Sequence, residues 1–469
     1  KMRIFRIELL IAAAVWVLLC LPTAAADETT TGSNVIVMLV DDMGWTDLGC
    51  FGSDLYETPH IDRLAEQGMK FTDAYAACTV CSPTRAALMT GLSPARLHLT
   101  NWLPGTNSHG PFTVKDNWTK HLEGRYTTIA EALNAGGYYT ALIGKWHLAA
   151  HNTKHVDFDP LTHGFDANIG GGPSGMPRSF FHPYGGNRVA VAAMGPLPPG
   201  GKAGDYLTDR LTDETLTIIR ARQKSPFFIY LSYYNVHKPD HAKKDDVAYF
   251  EKKVRADMRH KNTAFAAKVK SVDDSVGRIV AELKKLGIDD RTTLIFTSDN
   301  GGQSSTVNVP LRSGKGSSYE GGVRVPLIVK GPAVKNPGTV SSEPVTTVDY
   351  YPTILELAKA KGEPQHNDKL EGRSLVPLLQ DASATLDRES IYWHYPHTHP
   401  GGAKPYAAIR ARDWKLIEFL DGRRAELYHL SQDIGEANDL AAKHPEKVAM
   451  LRARLHAWQK RVGAQVPLK

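Results

Sequence analysis

The sequence contains little cysteine, with 4 in 469 residues. A disulfide-stapled scaffold needs a much higher density of cysteines, so the fold must depend on a hydrophobic core. Cys20 lies in a segment that we predict to be removed, which leaves Cys50, Cys78 and Cys81. A Cys50–Cys78 disulfide is open, but we expect both cysteines to be free and buried, because cysteine packs readily as a small apolar side chain.

Long apolar runs are scarce as well. One lies at residues 9–21, after three basic residues among the first six and before small residues at 24–26. It is shorter than the roughly 20 apolar residues of a transmembrane helix, and its flanks are typical of a secretory signal. We therefore predict a signal peptide at residues 1–26 and an exported protein, periplasmic or extracellular, without a membrane anchor.

Neither sign of charge dominates, since 56 Lys and Arg stand against 50 Asp and Glu, for a formal net charge of +6. Residues 1–26 hold three basic residues and one acidic residue, so their removal would leave +4. This mild excess suits an anionic small substrate or glycan. The sequence lacks Lys and Arg tracts with interleaved aromatic residues, which argues against a nucleic-acid partner.

Apolar, β-branched runs alternate with amphipathic helical patterns over most of the chain. We predict buried strands at residues 34–40, 138–143, 227–234, 292–297 and 325–329, with helices at 58–67, 127–136, 269–283 and 351–358. This alternation predicts an α/β fold with a large, mostly parallel sheet sandwiched by helices. Residues 157–201 are rich in Gly and Pro, and an irregular loop of this length is typical of a binding element.

Near the C-terminus the pattern changes to short strands, at residues 391–395, 407–412, 414–420 and 425–430. Asp421-Gly422 is typical of a hairpin turn. A last helix presents one apolar side, made by Val448, Leu451, Leu455 and Trp458. We therefore predict a main domain at 27–385 and a smaller α+β subdomain at 386–469, with a small antiparallel sheet and a terminal helix.

Polar clusters follow four of the predicted strands: Asp41-Asp42, Lys145 with His147, His237, and Asp299-Asn300. Reactive groups in such sheets collect beyond the carboxyl ends of the strands, so we expect these clusters to converge. The aspartates and Asn300 offer only oxygen ligands, which select a hard cation. One aspartate alone would be interpreted as a helix cap, but four oxygen donors together would repel one another without a cation. We predict Ca²⁺, with Mg²⁺ as the less favoured ion.

Six segments carry a resemblance to type I sulfatases of the alkaline phosphatase superfamily. They are Val40-Asp41-Asp42-Met43-Gly44, Cys81-Ser82-Pro83-Thr84-Arg85, Gly144-Lys145-Trp146-His147, Val236-His237-Lys238-Pro239, Ser298-Asp299-Asn300-Gly301 and Gly314-Lys315-Gly316. One short match is weak evidence, whereas six in the family's order are specific. Over nearly its whole mature length the chain resembles bacterial arylsulfatase A-like polysaccharide sulfatases. The resemblance implies an alkaline phosphatase-like fold and a sulfuric ester hydrolase, with the catalytic domain at 27–385.

The resemblance also implies two cofactors. In that family the motif cysteine is oxidised after translation, so Cys81 is implied to become formylglycine through a maturation enzyme of the host. One Ca²⁺ ion would be held by Asp41, Asp42, residue 81, Asp299 and Asn300.

Catalytic roles are implied for Cys81, Arg85, Lys145, His147, His237 and Lys315. The hydrated formylglycine would attack sulfur and form a covalent sulfo-enzyme. Arg85 and the two lysines would hold the sulfate oxygens, and His237, with Lys315, would protonate the departing alcohol. His147 would then deprotonate the second hydroxyl, which expels sulfate. Without the resemblance, both lysines would be interpreted as surface residues and His237 as a turn histidine.

The expected substrate is a sulfated glycan or a small sulfate ester, and we predict galactose- or N-acetylgalactosamine-4-sulfate. Candidate substrate contacts are Arg178, His182, His394 and Arg410. His394 also lies with His397, His399 and several aromatic residues, for which metal binding and packing in a small core are the alternatives.

Two other functions compete with this one. A phosphodiesterase or phosphonate hydrolase of the same superfamily would use a similar metal and nucleophile. A noncatalytic glycan-binding protein would keep the fold with a decayed site, but intact Cys81, Arg85 and motif histidines argue against it. Close to the last motif, we predict a structural salt bridge between Glu320 and Arg324.

Overall fold

The computed structural model describes residues 32–105, 117–149, 158–184, 194–401, 403–422 and 425–466, so the predicted signal peptide lies outside the described residues. The strands are β1 (Asn34–Val40), β2 (Met69–Phe71), β3 (Ala74–Tyr75), β4 (Tyr139–Gly144), β5 (Ala167–Ile169), β6 (Phe227–Ser232), β7 (Thr292–Ser298), β8 (Leu327–Lys330), β9 (Thr339–Ser341), β10 (Val345–Thr346), β11 (Ile391–Tyr395), β12 (Tyr406–Ala411), β13 (Trp414–Phe419) and β14 (Glu426–His429).

The helices are α1 (Pro59–Glu66), α2 (Cys81–Thr90), α3 (Pro94–Leu97), α4 (Ile129–Ala135), α5 (Leu207–Arg222), α6 (Lys244–Glu251), α7 (Thr263–Lys285), α8 (Glu320–Val323), α9 (Tyr350–Leu357), α10 (Pro364–Asn367), α11 (Val376–Gln380) and α12 (Pro445–Val462). Within the part of the chain that the structure describes, none of the helices combines the length and the apolar character needed to cross a membrane.

Eight strands form the main sheet, in the order β5-β4-β6-β1-β7-β8-β2-β9. The five strands from β5 to β7 run parallel, and β8 runs antiparallel to both of its neighbours. The predicted large, mostly parallel sheet is therefore confirmed. The strand predicted at 325–329 forms β8, whose direction the sequence pattern did not reveal.

The strand β1 lies in the middle of this sheet and is buried on both faces. Its side chains alternate between two cores: Val35, Val37 and Leu39 pack with α2, α4 and α9, whereas Ile36, Met38 and Val40 pack with α5 and α7. Each fully buried side chain of this size stabilises the fold by roughly 1.5–3 kcal/mol. Helices thus cover both faces of the sheet, as predicted, and the continuous apolar run of β1 is explained.

The C-terminal region contains an antiparallel sheet in the order β11-β12-β13-β14. One face packs on α12 through Leu451, Leu455 and Trp458. The other face packs on the main domain, where Trp393 Nε1 donates to the carbonyl oxygen of Ala76 at 2.9 Å. The small C-terminal sheet and its terminal helix are confirmed, while the boundary at 385/386 stays a prediction.

The structure differs from the sequence-based expectations at one short strand and in the burial of one cysteine. β5 lies within the stretch predicted to be irregular, where it extends the sheet beside β4. Such short strands carry too few residues for a periodic pattern.

Cys50, Cys78 and Cys81 are all free, so the disulfide alternative is wrong, and Cys78 is buried while Cys50 is only half-buried.

A buried ion network joins the C-terminal sheet to the main domain. Glu320 accepts from Lys415 Nζ at 2.8 Å and from Arg324 Nε at 2.7 Å, which confirms the predicted salt bridge. The hydroxyl of Tyr75 donates to the same carboxylate at 2.7 Å, and Lys415 also pairs with Glu436 at 3.0 Å. Burial opposes the charge of Glu320, but Lys415 and Arg324 hold the pKa of that carboxyl well below its usual range.

We expect Glu320→Ala to lower the free energy of unfolding by about 3 kcal/mol, because it removes the carboxylate shared by the buried Lys415 and Arg324, which then keep Glu436 and Asp73 as their ionic partners. Urea denaturation measures this change. Glu123→Ala is the control, since Glu123 pairs with Arg125 at 2.7 Å on the surface, and it should cost less than about 1 kcal/mol. An equal loss in both variants would contradict a role for the network.

Candidate active site

The ends of β1 and β7 bring the oxygen donors of the predicted metal site together. Val40 lies opposite Ser298 in the parallel register, so the residues that follow each strand become neighbours. The backbone N–H of Asp42 donates to Asp299 Oδ1 at 3.1 Å, and Asn300 Nδ2 donates to Asp42 Oδ1 at 2.8 Å. Two segments more than 250 residues apart in sequence therefore share one rim.

Cys81 is the first residue of α2 and is buried at the same rim. Its Sγ lies 4.0 Å from Asp42 Oδ1. One ligand atom from each of Asp41, Asp42, Cys81 and Asp299 lies within 4.8 Å of the others. The structure thus assembles the predicted set around one point.

The donor set fits a divalent cation. Asn300 Oδ1 is buried and accepts no hydrogen bond from any described residue, which is a costly state for an amide oxygen unless an ion binds it. Burial raises the pKa of Asp41 to about 7 against the opposing charge of Lys145, and the neighbouring Asp299 and Asp42 raise it further. A cation among these oxygens would relieve that repulsion. Carboxylate and amide oxygens are the ligands of Ca²⁺ and Mg²⁺.

Arg85 lies one turn along α2 from Cys81 and is fully buried. Its Nε and Nη2 both donate to Asp299 Oδ2, at 2.9 and 2.7 Å. Nη2 also reaches Asp41 Oδ1 at 3.4 Å, and Nη1 donates to the carbonyl oxygen of Lys145 at 3.2 Å and to Ser232 Oγ. The guanidinium therefore holds the ends of α2, β4, β6 and β7 in one geometry.

Two lysines approach the carboxylates from opposite sides. Lys145 Nζ donates to both oxygens of Asp41, at 2.9 and 2.7 Å, and is completely buried. Lys315 Nζ donates to Asp42 Oδ2 at 2.8 Å and lies 3.4 Å from Cys81 Sγ. The interpretation of both residues as solvated surface lysines is therefore wrong.

The environment of Cys81 disfavours a thiolate. Burial raises the pKa of the thiol to about 12, although Lys145 and Lys315 act in the opposite direction. The cysteine therefore remains protonated near neutral pH, and in this form it is a weak nucleophile.

His237 stands at the open side of the site. Its Nε2 lies 3.5 Å from Asp42 Oδ2, and Nδ1 lies 3.0 Å from the carbonyl oxygen of Lys238, to which the protonated Nδ1 donates. Burial lowers the pKa of His237 to about 3, with Lys315 acting in the same direction and Asp42 opposing it. The ring is neutral here, with Nε2 turned toward the carboxylate.

His147 follows β4 and is buried. Its Nε2 donates to the carbonyl oxygen of Leu103 at 2.6 Å, which fixes the orientation of the ring. A Cβ atom at Gly175 would lie 2.6 Å from His147 Cε1, so only glycine lets this loop pack on the ring.

Sequence reasoning missed two residues that hold the site. Ser232 ends β6 and bonds Arg85, as described above. Lys268, on α7, is fully buried and donates to the carbonyl oxygens of His237 and Pro239, at 2.6 and 3.2 Å. It therefore anchors the segment that carries His237. The sequence shows that Lys268 lies on a mostly apolar helix face, which could have indicated a buried role. It does not show which carbonyl oxygens the lysine contacts.

The predicted substrate residues in the irregular stretch lie beyond the loop that packs on His147. Arg178, three residues after Gly175, has an exposed side chain. His182 is half-buried, and its ring meets Tyr184 edge-on at 5.5 Å. In the described part of the structure neither residue bonds to the three carboxylates, so their contact with substrate stays a prediction.

His394 and Arg410 turn away from the carboxylate rim. His394 is buried, with Nε2 2.6 Å from the carbonyl oxygen of Gln465 and Nδ1 3.2 Å from Gln459 Nε2. Arg410 is buried too, and it bonds Asp73 and the hydroxyl of Tyr75. Packing within the C-terminal region, the alternative interpretation, accounts for their polar atoms. The assignment of both residues to sugar contacts therefore stays a prediction.

Comparison with known proteins extends across both parts of the chain. The Sulfatase family model matches residues 33–360, and the model described as N-sulphoglucosamine sulphohydrolase, C-terminal, matches residues 314–461. A Sulfatase of Formosa agariphila is 32% identical over 94% of this chain and 92% of its own length. The N-acetylgalactosamine-6-sulfatase of Sus scrofa is 33% identical over 97% of this chain and 91% of its own length.

Solved structures agree with these matches. The crystal structure of Ps i-CgsB in complex with k-i-k-neocarrahexaose has a TM-score of 0.77 and 31% sequence identity, and the similarity covers 91% of this chain and 93% of that chain. The main sheet and the C-terminal sheet are thus both included in the shared fold.

We expect Ca²⁺ added to the chelator-treated protein to raise the melting temperature, with a stabilisation of about 2.7 kcal/mol at a hundredfold excess over the dissociation constant. Mg²⁺ in a parallel titration compares the two ions. Asn300→Ala and Asp42→Asn should remove most of the shift, because the first deletes an oxygen ligand and the second removes a negative charge and one carboxylate oxygen. The control is Asp274→Asn, in a separate acidic group with His60 and Asp273. A full shift in both site variants would contradict the proposed ligands.

Proposed function

This chain belongs to the sulfatase family, and from that premise we propose that it removes sulfate from a sulfated carbohydrate by nucleophilic attack from residue 81. The observation that carries the proposal is the position of residue 81, between Asp42 at 4.0 Å and Lys315 at 3.4 Å. The carboxylates would hold a cation, and the lysine would neutralise the anionic substrate. A sulfate ester bound there would present its sulfur to the first residue of α2.

The buried thiol of Cys81 is a weak nucleophile, so the proposed attack on sulfur requires a different group at residue 81. The formylglycine form would supply a geminal diol, whose second hydroxyl allows sulfate to leave by C–O cleavage. We propose that a maturation enzyme of the host makes this conversion. Lewis-acid polarisation of the sulfate would come from Ca²⁺, held by Asp41, Asp42, Asp299 and Asn300 with residue 81.

The cationic side chains would stabilise the transferring sulfate. Lys145 and Lys315 are already oriented by Asp41 and Asp42, so they need little reorganisation when the substrate binds. Arg85 is committed to Asp299 by two hydrogen bonds, and its contribution would be to fix the carboxylate and the start of α2.

The two histidines would move protons on opposite sides of sulfur. His237 would protonate the departing alcohol, and a bound sulfate anion beside it would favour the protonated ring. His147 Nε2 donates to the carbonyl oxygen of Leu103, so Nδ1 would be the atom that accepts the proton. It would take the proton of the second hydroxyl when sulfate is expelled.

Membership of the family does not specify the substrate, so the substrate is a separate proposal. Both Sus scrofa N-acetylgalactosamine-6-sulfatase and the Ps i-CgsB complex with k-i-k-neocarrahexaose have names that refer to carbohydrate, which supports a glycan. We propose galactose- or N-acetylgalactosamine-4-sulfate as the sulfated unit, acted on outside the cytoplasm after removal of residues 1–26.

We expect the peptide that contains residue 81, isolated from active protein, to have the mass of the aldehyde form in place of the thiol. Cys81→Ala should lower kcat/KM on an aryl sulfate at least about 10³-fold, because the nucleophile is lost. Cys50→Ala, which changes a half-buried cysteine outside the site, is the control and should keep activity. Full activity of Cys81→Ala would refute the proposed nucleophile and revive a noncatalytic role.

The position of the sulfate is tested with pairs of isomers. We expect higher kcat/KM on galactose- or N-acetylgalactosamine-4-sulfate than on the matching 6-sulfates, and an aryl sulfate should be hydrolysed faster than the matched aryl phosphate or phosphonate. Preference for the 6-sulfates would correct the regiochemistry alone. Preference for the phosphorus esters would favour the phosphodiesterase or phosphonate hydrolase alternative.

A further inference from the structure

A cleft of about 410 Å³ opens beside the catalytic lysine, between the loop before α8 and the C-terminal sheet. Its lining includes Lys315, Ser317, Tyr319, Ala403, Lys404 and Glu426. The volume lies within the range of small-ligand sites, which is about 300–1,000 Å³. Because Lys315 belongs both to this lining and to the rim that holds Cys81, a molecule bound at the nucleophile can continue into the cleft.

One wall of the cleft is rigid and aromatic. The ring of Tyr319 is covered on one face by the guanidinium of Arg312, 3.7 Å from the ring centroid. Its hydroxyl donates to Glu426 Oε2 at 2.8 Å, and Tyr428 donates to the same oxygen at 2.8 Å. The acidic group of this wall is therefore already engaged. A half-buried tyrosine held in this way suits the apolar face of a sugar ring.

The opposite wall carries an uncommitted positive charge. Lys404 is exposed on the lining, and within the described part of the chain it forms neither an ion pair nor a hydrogen bond. Lys315 lies in the same lining but is already paired with Asp42, and Glu426 accepts from two tyrosines, so among the described lining residues Lys404 is the ammonium group left to meet a ligand. An exposed cation in this position suits an anionic group on the occupant.

His399 joins this wall to the catalytic loop. Gly316 has φ of 85°, and a Cβ atom there would lie 2.3 Å from His399 Nδ1, so the ring packs directly on the residue after Lys315. The backbone N–H of Gly401 donates to His399 Nδ1 at 3.1 Å. The segment that presents Lys404 is therefore held against the catalytic loop, at a set position relative to residue 81.

We propose that this cleft binds the saccharide unit next to the sulfated one, and that Lys404 pairs with an anionic group on that unit. The inference rests on the proposed function, since it concerns the same substrate chain. The anionic group is a sulfate ester or a uronic carboxylate, which share the charge that the lysine recognises. The enzyme then recognises two anionic groups of its substrate. One is the sulfate removed at residue 81, and the other stays bound in the cleft.

The test uses oligosaccharides that share the same scissile sulfate and differ in the neighbouring unit, which carries a sulfate, a carboxylate or hydroxyls alone. The wild type should have about tenfold higher kcat/KM on one or both anionic forms, mainly through KM. Lys404→Glu should reverse this preference, and Lys404→Arg should retain it. The control Lys224→Gln, near the opposite end of β6, should leave the preference unchanged.

The outcomes separate the subsite from the reaction. A larger gain with the sulfate or with the carboxylate identifies the group that Lys404 recognises. Equal kcat/KM for all three oligosaccharides in the wild type, or a preference that Lys404→Glu leaves intact, would overturn the subsite while the sulfatase proposal stands. Failure of the wild type to release sulfate from any of them, or from an aryl sulfate, would instead contradict the proposed function.

Discussion

The mutual repulsion of three buried carboxylates is the constraint on which the rest of the site depends. Asp41, Asp42 and Asp299 are at most 1% exposed and stand at one rim. Unscreened charges at such distances interact strongly, because little water is present to weaken the field. Each carboxylate is therefore matched by a cationic side chain, Lys145, Lys315 or Arg85. In the proposed reaction, Lys145 and Lys315 would also receive the sulfate.

The parallel sheet brings these charged groups together, because the residues that follow neighbouring strands converge at one edge without long loops. β1 is paired with β6 on one side and β7 on the other, and both faces are buried. The apolar cores on the two faces hold the strand ends in register. The polar residues after each strand can then be precise in position although they come from distant parts of the chain, and Arg85 and Lys268 tie the ends together.

The histidines and aromatic residues of the C-terminal sheet suggested sugar contacts, but the structure uses most of them for packing, as His394 and Trp393 illustrate. Glu320 and Lys415 bind the sheet to the main domain, so its outer loop is held close to Lys315. In the proposed subsite, the part of this region that would meet the substrate is the loop segment with Lys404, which lies among glycine and other small residues and has no periodic pattern.

Local sequence patterns were enough to predict the long strands, several helices and the polar residues that follow four strands, because these depend on periodicity and on where an apolar run stops. The 16-residue helix α5 was not predicted. The motif match added Cys81, Arg85 and Lys315, which no periodic pattern would have singled out. Tertiary structure alone decided the direction of β8, the free state of the cysteines and the partners of Lys268. It also turned His394 and Arg410 inward, because a side chain's role depends on which distant groups satisfy its polar atoms, and chain order does not encode those neighbours.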